Sequence, residues 1–417
     1  MSNELQIDAF PPAKMASRME EVGLAKAGLG FWTMFALAVL AGAFIGTGAI
    51  FATTVTTGLG AAGVGFGIVK LLAGLVFCLG LIAVVVAGAE LFTGNNLIIM
   101  AFASGKVGVG GLLRNWGIVY VGNFVGSVLT ALVMFLSKQY TFAGGALGAN
   151  ALAIADGKCS LDFMQAIALG IMCNALVCLA VWLCSSARST TDKILAIIFP
   201  ITAFVAGGFE HSVANMYFIP IGLFIKNFAG PDFWTAIGKT AADFASLTWP
   251  AFFITNLLPV TVGNIIGGAG FVGLAYWFIY LRPRKVVEVE PGIAPSILVV
   301  DDDPDFVEIT SRVLTREGYR VTSAATGQEG IQSMKEQRPD LVLLDVMMAT
   351  PLDGVQVARE MESDSELKDI PVVMISSIDS SVHAGMLPDD LHIPIDAWIS
   401  KPAKSDDLLR TIRRFLA

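Results

Sequence analysis

Gly88-Ala-Glu-Leu-Phe-Thr-Gly-Asn95 and Gly208-Phe-Glu-His-Ser-Val-Ala-Asn215 share the pattern G-x-E-x-x-x-x-N in register. Each places glycine and polar residues in the middle of a long apolar stretch, where a regular buried helix has no use for them. A second match lies downstream of each, Val121-Gly-Asn-Phe-Val-Gly126 against Val262-Gly-Asn-Ile-Ile-Gly267. The chain around them offers six apolar stretches, at about 31–57, 68–102, 113–136, 161–186, 193–227 and 251–281. Each is long enough to cross a hydrocarbon core of about 30 Å, which takes roughly 20 helical residues. The interruptions fall in the second and fifth, so the sequence reads as a repeat of three helices. Because three is odd, the second copy enters the membrane upside down, the inverted-repeat plan of many transporters.

Irregular backbone at membrane depth is tolerated only inside protein or beside a polar cavity, so the interruptions mark a permeation route. Glu90, Glu210 and His211 belong to them, and His211 is the one histidine of the first 285 residues. Ionisable groups in a membrane point to function by default. The two glutamates are also placed to accept backbone N–H groups freed by the breaks. His211 reads either as a satisfied core histidine or as a group that exchanges a proton with a permeant; its place at the suspected constriction favours the second.

Charge divides the chain. The net charge of −8 is about +4 over residues 1–285 and −12 over 286–417. That split excludes a basic nucleic-acid binder in either part, and the patterning excludes a disordered chain. An even number of crossings leaves both ends on one side. Taking that side as cytoplasmic puts Lys14, Arg18, Lys26, Lys106, Arg114, Arg188, Lys193, Arg282, Arg284 and Lys285 inside. Lys70, Lys138, Lys158, Lys226 and Lys239 fall outside, in agreement with the positive-inside rule. No signal peptide is expected, since Lys14, Arg18, Glu20 and Glu21 precede any apolar run. Pro12 to Gly28 reads as a short amphipathic helix outside the bilayer. The five cysteines form no CxxC pair and read as small buried hydrophobes.

The runs Phe209-Glu-His-Ser-Val-Ala-Asn-Met216, Glu90-Leu-Phe-Thr-Gly94, Asn174-Ala-Leu-Val-Cys-Leu-Ala-Val-Trp182 and Val262-Gly-Asn-Ile-Ile-Gly-Gly268 closely resemble the formate/nitrite transporter family, over about residues 10–282. The resemblance implies a homopentamer of aquaporin-like protomers in the cytoplasmic membrane, each with its own pore for a small monovalent anion such as formate or nitrite. It places Thr93 on the broken second helix, hydrogen-bonded to His211 at the pore centre. Phe77 and Leu81 would form one constriction, Phe204 and Val177 the other, with Asn174 between and Lys158 attracting anion in the outer vestibule; Glu210 joins the pore residues. Taken singly, each apolar member of that set reads as core packing. Tyr217-Phe-Ile-Pro-Ile-Gly222 and Asp232-Phe-Trp-Thr-Ala-Ile-Gly238 are nearer the formate channels. Thr93-Gly-Asn-Asn96 is nearer the nitrite or hydrosulfide type.

After a Pro-rich linker at 282–296 the pattern changes. Short β-rich runs alternate with amphipathic helices: Ile297-Leu-Val-Val300, Arg320-Val-Thr322, Leu341-Val-Leu-Leu344, Pro371-Val-Val-Met-Ile375 and Ala397-Trp-Ile-Ser400. Such βα units predict a five-stranded parallel sheet of flavodoxin-like α/β type, with sites at the carboxyl ends of the strands. The residues there are Asp301 and Asp302, Asp345, Ser376 and Lys401. Converging carboxylates suit a hard cation such as Mg2+, and a carboxylate beside it can attack phosphorus. Asp303 and Asp305 read as helix caps. The set, with Lys401-Pro402, resembles the response-regulator receiver domain. The resemblance makes Asp345 the phospho-acceptor and has Asp301, Asp302, Asp345 and the Met347 carbonyl hold Mg2+. Ser376 and Trp398 become the switch residues and Lys401 the active-site lysine. Two departures stand out: the loop Val346 to Asp353 is about two residues longer than is usual in the family, and His383 to Pro394, which contains His392, carries Pro388 and Pro394 where a fourth helix is expected.

The resulting domain reading is 1–28 as an N-terminal cytoplasmic helix, 29–281 as the membrane domain, 282–296 as linker and 297–417 as receiver. With no further domain after the last helix, the receiver's expected output is the channel, switched by a sensor histidine kinase. The other reading is a sensor or phosphate sink in which transport is secondary.

Overall fold

A computed structural model of the chain describes residues 9–282, 294–348, 353–376, 395–401, 403 and 405–416. Most of the linker, part of the long loop, Pro402, His383, Pro388, His392 and Pro394 therefore lie outside the described residues. The chain forms two compact units, Met1–Arg282 and Pro283–Ala417.

The first unit is helical. An N-terminal helix, α1 (Pro12–Ala27), turns Met15, Ala16, Met19, Glu20 and Gly23 inward. It is followed by α2 (Phe31–Thr56), α3 (Phe66–Ala87), a short α4 (Phe92–Ala103) and α5 (Val109–Leu136). The second half runs α6 (Ala146–Cys159), α7 (Phe163–Cys184), α8 (Thr190–Ala206), α9 (Ser212–Phe228) and α10 (Ala251–Tyr280). Among the described residues five helices, α2, α3, α5, α7 and α10, are long and apolar enough to span a membrane. The remaining crossing is split between α8 and α9, each 17 residues long. Local signals set the ends. Asp162 and Ser189 cap α7 and α8 in capping boxes with Gln165 and Asp192.

Both interruptions are chain breaks. Gly88 and Gly208 take left-handed backbone at φ +81° and +72°, and the chain re-enters helix four residues later. The backbone groups released there go to two asparagines of the downstream motif, and not to the glutamates as the sequence led us to expect. Asn123 accepts from Phe92 N (2.8 Å) and donates to the carbonyls of Glu90 (2.9 Å) and Ala38 (2.7 Å). Asn264 accepts from Ser212 N (2.9 Å) and donates to Glu210 (2.9 Å) and Gly170 (2.8 Å). A planar amide offers donor and acceptor together, whereas an ionised carboxylate only accepts and could not bind both sides of a break.

The glycines of the same motifs let the helices meet. A Cβ on Gly126 would lie 2.0 Å from the Val39 carbonyl of α2, and one on Gly267 would lie 2.1 Å from the Ile171 carbonyl of α7. Helices in a membrane associate through such close backbone approach.

The second unit is a parallel sheet of order β2-β1-β3-β4-β5, with β1 (Ser296–Val300), β2 (Arg320–Ala324), β3 (Leu341–Asp345), β4 (Val372–Ser376) and β5 (Ala397–Ser400). Its described helices are α11 (Pro304–Arg316), α12 (Gly327–Glu336), α13 (Asp353–Ser363) and α14 (Ser405–Leu416). Leu298, Val300, Val342 and Leu344 pack on one face of the sheet and Ile297, Val299, Leu341 and Leu343 on the other, so both faces are covered. Asp303 caps α11 as expected, accepting from Asp305 N and Phe306 N, while Asp305 lies in the first turn.

Gly126→Ala or Gly267→Ala should destabilise the membrane unit by about 1–3 kcal/mol, since neither carbonyl can yield without moving its helix. Gly117→Ala has open space and serves as the control. Thermal unfolding in detergent is the readout, and equal midpoints for all three would contradict the close-approach argument.

Candidate functional site

The two breaks face one another across a narrow neck between two cavities of about 360 and 410 Å3. Leu81 borders the first; Phe77, Phe204 and His211 border the second. Phe77 and Leu81 stand one turn apart on α3 and both are buried, as is Val177 on α7. The Phe77 and Phe204 rings meet edge to face at 5.6 Å, and Phe204 stacks on His211 at 5.8 Å. The neck is thus aromatic and apolar except for one polar pair.

That pair is Thr93 and His211, with Oγ1 and Nε2 3.0 Å apart. His211 also caps α9, its Nδ1 accepting Ala214 N–H at 3.0 Å. A ring nitrogen that accepts an N–H carries no proton, so the resting imidazole is neutral with its proton on Nε2, directed at Thr93. Asn174 supports the other member. Its amide donates to the Thr93 carbonyl (3.3 Å) and to the Asn264 carbonyl (2.7 Å), so one side chain touches the break of α4 and the motif that closes the break of α9. At the position matching His211 the first repeat carries Leu91. The pair is therefore where the repeat abandons its symmetry.

Around each break the symmetry is otherwise close. Lys26 donates to Glu90 at 2.6 Å; Asn95 donates to Glu90 (2.7 Å) and Asn115 (2.9 Å); Asn115 donates to the Lys26 carbonyl (3.1 Å). In the second repeat Lys158 donates to Glu210 at 2.8 Å; Asn215 donates to Glu210 (2.7 Å) and Asn256 (2.7 Å); Asn256 donates to the Lys158 carbonyl (2.9 Å). Lys26 lies on α1 and Lys158 on α6. The repeat accordingly has four elements, a peripheral helix followed by three crossings. Each buried carboxylate finds an ammonium and an amide, the condition for keeping a charge at this depth.

In the second unit, Asp301, Asp302 and Asp345 bring carboxylate oxygens within 4.8 Å of one another. Asp301 and Asp345 are buried and Asp302 is exposed. Lys401 bridges the two buried ones, at 2.6 Å to Asp301 and 2.8 Å to Asp345. Met347 donates its backbone N–H to Asp345 at 3.2 Å. Burial raises the Asp301 carboxyl above the ordinary range, against the pull of Lys401 and of the Asp303 N–H. Burial also works against the Lys401 ammonium, but its bonds to Asp301 and Asp345 win and hold it above its usual value. Against three converging carboxylates there stands one ammonium, so the cluster can still accept a hard divalent cation, its ligand atoms all being oxygens. Trp398, half-buried on β5, packs against the sheet face formed by Leu298, Val300, Val342 and Leu344. Ser376 ends β4, in register with Ser400.

The formate/nitrite transporter family model matches residues 13–278. The chain belongs to the formate/nitrite transporter family. Residues 297–413 match the response regulator receiver domain. Formate channel FocA of Escherichia coli K12 is 48% identical over 282 residues, covering 68% of this chain and 98% of that relative. The FocA of Haemophilus influenzae is 41% identical over 273 residues, covering 66% and 95%. A solved pentameric formate channel with formate bound is 49% identical, covers 60% of this chain and 98% of its own, and superposes with a TM-score of 0.58. The family's members are transporters, and this chain is a membrane transporter with a fused receiver domain rather than an enzyme.

The structure joins Thr93, His211 and Asn174 by hydrogen bonds, stacks Phe204 on His211 with Phe77 edge-on to it, and sets Leu81 on the smaller cavity and Lys158 with Glu210 in the larger; Val177 is buried on α7 and borders neither cavity. Lys26, Asn115 and Asn256 were missed by sequence reasoning. Two of these had a signal: Asn115 and Asn256 each precede the motif asparagine by eight residues. Lys26 had none, since it lies 64 residues from its glutamate while Lys158 lies 52 from its own. All five cysteines are buried and free.

Lys158→Met should leave Glu210 buried and unpaired, lowering stability by about 3 kcal/mol. The double change Lys158→Met with Glu210→Gln should recover most of that loss. Strictly additive effects in thermal unfolding would contradict a coupled pair.

Proposed function

We propose that the chain passes formate, or a related small monovalent weak-acid anion such as nitrite or hydrosulfide, through a pore of its own within a homopentamer. The observation that carries the reading is the Thr93–His211 pair, the polar exception in an apolar neck between two cavities. The likeness to formate channels supports the substrate class. An anion is strongly disfavoured in a dry aromatic neck, whereas its neutral acid is not. His211 supplies the difference. Its Nε2–H bonds Thr93, leaving the threonine hydroxyl free to donate to a permeant oxygen. With a second ring proton at Nδ1, the Nε2 proton passes to Thr93 while the Thr93 proton passes to the anion; neutral acid and neutral imidazole result. The reverse steps regenerate anion beyond the neck. Loading Nδ1 displaces its bond from Ala214 N–H, so the loaded ring is a minor form that grows as pH falls, and flux rises on acidification.

In this reading the protein sits in the inner, cytoplasmic membrane with both ends in the cytoplasm, residues 1–28 forming a cytoplasmic helix, 29–281 the membrane domain, 282–296 the linker and 297–417 the receiver. Asp301, Asp302, Asp345 and the Met347 carbonyl would hold Mg2+, which offsets carboxylate charge beside an incoming phosphoryl group. The Asp345 carboxylate oxygen attacks phosphorus of a phosphohistidine on a partner kinase; the P–N bond breaks and an acyl phosphate forms. Lys401 keeps its position by pairing with a phosphoryl oxygen, and Ser376 and Trp398 carry the change outward. The added charge shifts the receiver between two states and alters flux.

Formate uptake by purified protein in liposomes, with and without a small-molecule phosphoryl donor, tests this. The wild type should respond several-fold to the donor and Asp345→Ala should not. Identical uptake from wild type, donor-treated protein and Asp345→Ala would contradict the regulatory reading, and nitrite outpacing formate would reassign the permeant.

A further inference from the structure

Each cavity is lined by two lysines of unlike standing. Lys26 in the smaller cavity and Lys158 in the larger are bound to glutamates, so their charges are largely cancelled where they stand. Lys193 in the smaller cavity and Lys70 in the larger lie on α8 and α3, the first halves of the two broken crossings. Among the described residues neither has a carboxylate within ion-pairing distance. The Lys70 ammonium instead lies 5.5 Å over the Phe66 ring. An aromatic face holds an ammonium in place without cancelling its charge.

The larger cavity gives the cleaner case. Its charged lining consists of Lys70, Lys158 and Glu210, and with Lys158 and Glu210 paired the net charge there is that of Lys70. Lys70 is half-buried, within reach of solvent and of the cavity. In the smaller cavity Arg18 is a further cation, donating to the Ser185 carbonyl and stacked on Phe10, so Lys193 does not stand alone. We propose that Lys70 is the charge that recruits anion to the larger cavity, with Lys193 its counterpart at the other mouth, and that Lys158 acts by holding Glu210. This rests on the anion-permeation reading above and locates its entry step. An unpaired charge at the wall of a low-dielectric cavity raises the local anion concentration, and salt screens the effect.

The test is initial formate uptake at sub-saturating substrate by the full chain in liposomes, from about 10 mM to about 1 M of an impermeant salt, a range over which the screening length falls from about 30 to about 3 Å. Lys70→Gln should be about five-fold slower than wild type at the lowest salt and equal to it at the highest. Lys70→Arg should follow wild type throughout. Wild-type uptake by Lys70→Gln at low salt would overturn the proposal. So would a deficit that persists at high salt, since that marks altered packing. No formate uptake by the wild type would overturn the permeation reading, and this inference with it.

Discussion

A backbone N–H or carbonyl stranded in hydrocarbon costs several kcal/mol, and this transporter breaks two helices where that penalty is greatest. Asn123 and Asn264 make the breaks possible. Each amide spans its break, accepting from the first N–H of the new helix and donating to the carbonyl of the glutamate just before it. Without them Thr93 and His211 would have no fixed approach, because both stand within three residues of a break. The glycine contacts of α5 and α10 serve the same end, bringing each asparagine close enough to reach the upstream helix as well.

The two halves obey the same polar logic around their breaks and differ at the Thr93–His211 pair. Lysine, glutamate and two asparagines recur around each break with matching partners. Leu91 stands against His211 and Val213 against Thr93, so the pair itself has no counterpart. A symmetric scaffold can hold two mouths of like chemistry, while a proton can be exchanged at one titratable group without a competing partner on the other side.

Much of this was legible before the fold was known. The paired G-x-E-x-x-x-x-N motifs announced both breaks, and the Val-Gly-Asn match announced the repeat. The glutamates misled, because a carboxylate beside a gap looks like a cap; only the geometry shows that amides close the gaps and that the carboxylates answer lysines. Lys26 was invisible for a physical reason. It sits on a helix outside the crossings, at a chain distance that no register comparison could align with Lys158. In the receiver, each acidic residue at a strand end was readable from the βα rhythm, since parallel strands must present their carboxyl ends together. The way Lys401 joins Asp301 and Asp345 required coordinates.

In the proposed mechanism the Thr93–His211 pair exchanges a proton with the permeant inside an apolar neck. Formate flux through purified protein in liposomes, measured across a pH series beside His211→Asn, tests it most directly. Wild-type flux should climb on acidification, and the variant should lose this climb, passing anion at a rate indifferent to pH. A variant with unchanged selectivity and an unchanged pH profile would contradict it.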